Sequence, residues 1–302
     1  MVEELACGND ALDLYTLLAD YPSTSALRKG IVSSPLVRFN FADVTVSNTA
    51  FKPLVRECRF DVGELALVTY LQAKTFGTPY ILLPAVVVAR GQHQTMLYNP
   101  ERGGLSLEKL AGRRVGVRAY TQTTGVWVRG ILQDDYGVDI SRIRWVTFED
   151  PHVAEYQDPP WIERAPEGKD LLQMLLEGEV DAGIFGGAMP GTPLKQLIPE
   201  AEVAAQNWAE KHGGIPINHM IVVRQSIARS RPDVVHEVYR LLRESRDVMP
   251  PGKGREALRF GIEPTRSSLE TLIDYSFRQG LIPQRLTVDE LFDDQVRRLC
   301  LE

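Results

Sequence analysis

Cysteine is scarce in this chain: three in 302 residues, at Cys7, Cys58 and Cys300, with no CxxC pair. An odd, widely spaced set excludes a disulfide framework and a zinc knuckle. Long apolar runs are missing too. The longest uncharged stretch, 75–89, is broken by Gly77, Pro79 and Pro84 and falls short of the roughly 20 residues a membrane-spanning helix needs. Positive charge is not in excess, since 34 Lys and Arg stand against 40 Asp and Glu, a formal −6. Neither a nucleic-acid stripe nor a basic membrane face follows from that balance, so no nucleic acid and no membrane is expected as partner. No basic segment leading into an apolar one opens the chain, and a cytoplasmic location is expected. Phosphate-loop, complete GxGxxG, HExxH and GxSxG patterns are all absent, which leaves nucleotide binding, a zinc hydrolase and a serine hydrolase without support.

What is present is an ordinary globular composition, 44% hydrophobic and 25% charged, over a length that suggests about two domains. Short β-branched runs alternate with longer amphipathic stretches, the pattern of an α/β protein. Strands are expected at 4–7, 36–46, 81–89, 114–117, 143–146, 182–185 and 220–223. Helices are expected at 47–57, 62–76, 124–136, 169–177 and 232–248. Residues 149–169 hold four prolines and read as a surface loop or lid. The glycine-rich turn 186–191 follows a strand, where open α/β sheets bind ligands. One doubly wound sheet and two α/β lobes fit this pattern equally.

Several residues invite chemistry. Tyr120, Thr121, Gln122, Thr123 and Thr124 arrive where a strand ends and a helix begins, so hydroxyls and free backbone N–H groups converge as a cradle for a carboxylate or phosphate, or serve as plain helix caps. His93 and His219 each lie where a strand meets a polar segment and are candidates for proton transfer or for structural hydrogen bonding. His152, His212 and His236 are expected to be solvated. Asp61 and Glu64, three apart, read first as a cap and capping-box partner at a helix start, second as carboxylates shown to a cleft. No spacing supports a metal site.

The segments Phe60-Asp61-Val62-Gly63-Glu64 through Leu71, Gly116 to Thr123 followed by Val126 to Val138, Pro216-Ile217-Asn218-His219, and Gly261-Ile262-Glu263-Pro264 with Arg266 resemble the 4,5-dihydroxyphthalate decarboxylase family. The resemblance runs in order over nearly the whole chain, and Trp127 to Val138 is its most specific part. It implies a two-lobed type II periplasmic-binding-protein-like α/β fold with the ligand in the cleft between lobes. The first lobe would be discontinuous, 1–92 with 222–302, and the second would be 93–221. It further implies non-oxidative decarboxylation of a hydroxylated aromatic dicarboxylate, 4,5-dihydroxyphthalate to 3,4-dihydroxybenzoate (protocatechuate) plus CO2, as in phthalate degradation. No organic cofactor is needed for that reaction.

On this reading His219 or His93 supplies the proton and Asp61 or Glu64 faces the ring hydroxyls. Arg118 with the Thr121–Thr124 turn clamps the carboxylate that stays, and Arg90 and Asn218 join the substrate contacts. Three departures stand out, one being that the turn 186–191 lacks the Arg-Pro-Pro-Ser-like sequence of the family. Arg118-Ala119 occupies the place of a Pro-Glu pair, and Gly91-Gln92 separate Arg90 from His93 where the family has an Arg-His pair. The rival reading is a non-catalytic binding protein or sensor for a small carboxylate, because fold does not dictate function. Assembly into a homo-oligomer stays open.

Overall fold

A computed structural model describes residues 11–187 and 189–299. The expected strand at 4–7 lies outside the described residues. Two mixed sheets form the frame. The first, in the order β2-β1-β3-β11-β4, is built from β1 (Leu12–Leu17), β2 (Val37–Phe41), β3 (Val62–Ala66), β4 (Tyr80–Ala89) and β11 (Ile217–Arg224). The second, β10-β5-β9-β6-β7-β8, takes β5 (Met96–Tyr98), β6 (Arg114–Val117), β7 (Arg144–Thr147), β8 (Glu163–Arg164), β9 (Ala182–Ile184) and β10 (Lys195–Gln196). The chain thus leaves the first sheet after β4 and re-enters it through β11. A division at 221/222 cuts through β11, all of whose length pairs in the first sheet.

Strand β11 runs antiparallel to both β3 and β4 and is wedged between them. It is the apolar centre of the sheet, with Met220 to Val223 fully buried. Strand β4 holds Pro84, which has no N–H for a ladder. The sheet accommodates it with a bulge: partners of β11 jump from Leu83 to Val86, the Pro84 carbonyl accepts the N–H of Gly261 at 2.8 Å, and the N–H of Val86 turns to Arg259 O at 3.2 Å. Gly261 meets that contact at φ +100, a conformation that favours glycine. The segment Gly261-Ile262-Glu263-Pro264 therefore docks the start of the helix Ile262–Arg278 onto the bulge. Arg266 pairs with Glu263 and Asp289.

The helix Thr123–Tyr136 joins the two sheets. Trp127 donates its indole N–H to Ile217 O at 2.9 Å, and Gln279, just past the helix Ile262–Arg278, donates to Val126 O while accepting from Arg129. This side of the helix is packed to the limit. A Cβ added at Gly130 would stand 2.0 Å from the Tyr275 ring, which is itself held edge-on to Trp127.

The strands expected at 81–89, 114–117, 143–146, 182–185 and 220–223 overlap observed ones, whereas 36–46 is strand only as far as Phe41. The expected helix 62–76 is divided: 62–66 is β3, and helix begins at Leu67. All five residues of β3 are buried, so the sequence shows no alternation and a buried strand reads like the first turn of a helix. The cap and capping-box reading of Asp61 and Glu64 falls with it. Strand β1 and the helices Ala201–His212 and Ile262–Arg278 went unread.

Gly130→Ala should lower the urea midpoint. Overpacking costs about 1–3 kcal/mol, against a gain of at most about 1 kcal/mol in helix propensity. A raised midpoint, as at an exposed helical glycine, would contradict the packing described.

Candidate active site

Pairing brings the site together. His219 of β11 is opposite Ala66 of β3 and Val88 of β4, and Glu64 lies two residues before Ala66 on the same face. Glu64 Oε2 is 3.9 Å from His219 Nδ1. The carboxylate is fully buried; its Oε1 accepts the Tyr21 hydroxyl at 3.2 Å, while Oε2 and His219 Nδ1 have no hydrogen-bond partner. A buried carboxylate calls for a polar partner, and His219 Nδ1 is the basic nitrogen beside it. Burial, and then the charge of Glu64, push the Tyr21 phenol far above its ordinary range, so Tyr21 is a neutral donor.

Phe51 separates two imidazoles. It lies edge-on to His219, with centroids 5.2 Å apart, and to His152, at 5.5 Å. His152 descends from the proline-rich loop after β7, and its Nδ1 is 2.8 Å from Thr69 Oγ1. It is buried, contrary to the expectation of a solvated side chain. Burial chiefly, with the positive charges of Arg118, Lys52 and Arg56, lowers it to about 3, so it is neutral at physiological pH.

Arg90, just past β4, also lines the cavity, close enough to the Tyr21 phenol for its charge to act on it. Its Nε is buried without a partner, and among the described residues no carboxylate pairs with it. Burial lowers its pKa, though an arginine keeps its charge. Arg118 also reaches the cavity, but its Nη1 is 2.8 Å from Glu149 Oε2. Gln122, Thr123 and Thr124 line the wall at the start of their helix, where no side chain caps the free N–H groups. Asn218 fixes this corner: its Oδ1 accepts Gln92 Nε2 at 2.7 Å and its Nδ2 donates to Thr124 Oγ1 at 3.2 Å. Thr123 Oγ1 in turn accepts the N–H of Val68 at 3.2 Å.

These groups enclose a cavity of about 230 Å³. A cavity of about 150 Å³ takes benzene, so this one has room for a single substituted ring. A recess of about 420 Å³ adjoins it, sharing Tyr21, Asn48 and His219, and connects it with the surface.

Not every expected residue arrives. Asp61 lies outside the cavity, accepting the N–H of Tyr15 at 2.9 Å and facing Arg224 at 3.4 Å. His93 also lies outside, buried in the single turn His93–Thr95 against Tyr136; burial lowers it to about 4. Tyr120 and Thr121 are buried behind the wall, Tyr120 beneath the Arg129 guanidinium at 4.0 Å. Sequence reasoning missed Tyr21, Phe51, Thr69 and His152. The lid reading of 149–169 was the one available pointer to His152. Among the described residues no group of three or more His, Cys, Asp or Glu is placed to hold a metal ion, and no helix is long and apolar enough to cross a membrane.

A ligand cavity between two α/β sheets joined by crossing strands defines a two-lobed fold of the solute-binding-protein type. The alkanesulfonate-binding protein SsuA from Xanthomonas axonopodis pv. citri, bound to MOPS, has the same fold, with a TM-score of 0.57 at 13% identity over 94% of this chain and 99% of that one. No family model matches the chain. In sequence it is similar to two proteins named 4,5-dihydroxyphthalate decarboxylase. One, from Comamonas testosteroni, is 34% identical over 197 residues, 59% of this chain and 58% of the relative. The other, from Pseudomonas putida, is 32% identical over 167 residues, 51% of this chain and 64% of the relative. The chain thus spans less than two thirds of the length of the curated relatives it matches.

His93 and His152 are neutral in the fold, at about 4 and about 3, but titrate near 6.5 when unfolded. The unfolded chain then binds more protons below about pH 6.5, so stability falls as the pH drops from there, by up to about 1.4 kcal/mol per pH unit for each histidine. His93→Gln should remove about one proton from that slope in denaturation series at pH 6.5, 6 and 5. An unaltered slope would contradict a buried neutral His93.

Proposed function

We propose that this chain catalyses the non-oxidative decarboxylation of a hydroxylated aromatic acid, with 4,5-dihydroxyphthalate, giving 3,4-dihydroxybenzoate and CO2, as the first candidate substrate. The observation that carries the proposal is His219 beside buried Glu64 in the same cavity as an Arg90 whose Nε has no partner. The similarity to two proteins of that name supports the choice of substrate.

Arg90, with the uncapped N–H groups at Thr123 and Thr124, would bind the carboxylate that is retained. An unpaired cation on the departing carboxylate would favour the ground state and oppose reaction, so that group belongs away from Arg90, beside His219, whose charge when protonated is offset by Glu64. Protonated His219, paired with Glu64, then gives its proton to the ring carbon bearing the departing carboxylate. The ring hydroxyl para to that carbon releases its proton to water and pushes electrons into the ring, giving a dienone. The C–C bond to the carboxylate breaks, its electron pair restores the aromatic ring as a phenolate, CO2 leaves, and the phenolate takes a proton back from water. A proton from solvent restores His219, so one proton is consumed per turnover. Neutral His152 and neutral Tyr21 are suited to hydrogen-bond ring substituents, not to act as the acid.

The test is CO2 release from purified protein offered a panel of hydroxylated phthalates and benzoates. CO2 should come from acids with a hydroxyl para to a carboxylate; binding without CO2 would instead favour a solute-binding role. His219→Gln should lower kcat at least 100-fold, the usual size of a general-acid effect, and Arg90→Gln should chiefly raise KM. A His219→Gln variant with near-normal kcat would remove His219 from the role of acid.

A further inference from the structure

We infer that Arg56 is a positioning residue that fastens the loop after β7 across the cleft and thereby holds His152 in the cavity. The inference rests on the reading of this cavity as the reaction site. Arg56 lies in the last turn of the helix Phe51–Glu57, which packs on the first sheet at Gly63, whereas His152 belongs to the loop leaving the second. Its guanidinium spans the gap: Nε donates to His152 O and Nη2 to Pro151 O, each at 2.8 Å. Two consecutive carbonyls held by one planar fork fix the backbone direction at residue 152, which a single contact would not.

The side chain is then secured by residues of two helices, Phe51–Glu57 and Leu67–Thr75. Thr69 Oγ1 takes Nδ1, and the Phe51 ring, one helical turn and a half before Arg56, packs edge-on to the imidazole. With Nδ1 engaged, Nε2 is the nitrogen left for a ligand. Glu149, at the root of the same loop, is tied to Arg118, so the loop is anchored at both lobes. Arg56 does not line the cavity, and its side chain is largely solvent-exposed. Its part in the chemistry therefore passes through His152.

The charged and titratable groups facing His152 are Arg118, Lys52, Arg56 and His219, all of which oppose its protonation. A neutral imidazole cannot be held by ion pairing, which leaves the backbone fork and the Thr69 contact to do so.

The test uses the intact protein at pH 7. Diethyl pyrocarbonate modification, read histidine by histidine by mass spectrometry, should be at least ten-fold faster at His152 in Arg56→Gln than in wild type, while His93, buried outside the cavity, stays protected. In turnover, Arg56→Gln and His152→Ala should each lower kcat/KM, and the double variant should lose no more than His152→Ala alone, because the two act as a unit. Unchanged reactivity of His152 would overturn the inference. So would equal gains at His152 and His93, which mean general loosening, or losses that multiply in the double variant. Faster modification at His152 alone, in a protein that releases no CO2 from any acid tried, would uphold the role of Arg56 and count against the decarboxylase reading.

Discussion

The site depends on one constraint: β11 must fit between β3 and β4. The antiparallel pairing sets His219 against Ala66 and Val88, and the alternation of side chains brings Glu64 to the same face. Register shifts occur along β11 between Ile217 and Ile221, so the ladder is irregular where its side chains enter the cavity. Bulges commonly re-aim side chains beside functional sites. The bulge at Pro84 and Ala85 is anchored by the Arg259–Gly261 backbone, which links the helix Ile262–Arg278 to the geometry of the cavity.

Each residue of Pro216-Ile217-Asn218-His219 has a separate duty in this arrangement. The Pro216 carbonyl accepts the N–H of Arg90, the Ile217 carbonyl accepts the Trp127 indole, Asn218 bridges Gln92 and Thr124, and His219 enters the cavity. A four-residue stretch thus gathers the cation, the helix start and the imidazole from three chain segments. The electrostatic result is asymmetric. Arg118 is answered by Glu149, His152 is neutral, and Arg90 is left with no carboxylate partner among the described residues, in a cavity that also holds a buried carboxylate beside an imidazole.

How much of this was legible in the sequence follows the physics. The α/β class was legible in the alternation of strand and helix periods, but the two-lobed arrangement came from the family resemblance alone, because that alternation fits one sheet or two equally. Glu64 and His219 were identified as candidates, but Glu64 was placed on a helix, since a strand buried on both faces loses its period of two. His93 and Asp61 were proposed on local grounds and sit in the frame around the site. Whether a histidine beside a strand end turns into a cleft or into a core is settled by packing at long range. His152 was illegible for the same reason: Arg56, Thr69 and Phe51, which hold it, are some 80 to 100 positions away in the chain. Net charge was uninformative as well, since an acidic chain presents an unpaired arginine to its ligand.

The central claim is that Arg90 holds the retained carboxylate while His219 stands at the carbon that loses CO2. The most direct measurement is a crystal structure of the His219→Gln variant with 4,5-dihydroxyphthalate. The account predicts one ring in the cavity, one carboxylate within hydrogen-bond distance of Arg90, and the carbon of the other carboxylate directed at residue 219. Both carboxylates held by Arg90 and Arg118, or a ring bound outside this cavity, would contradict it.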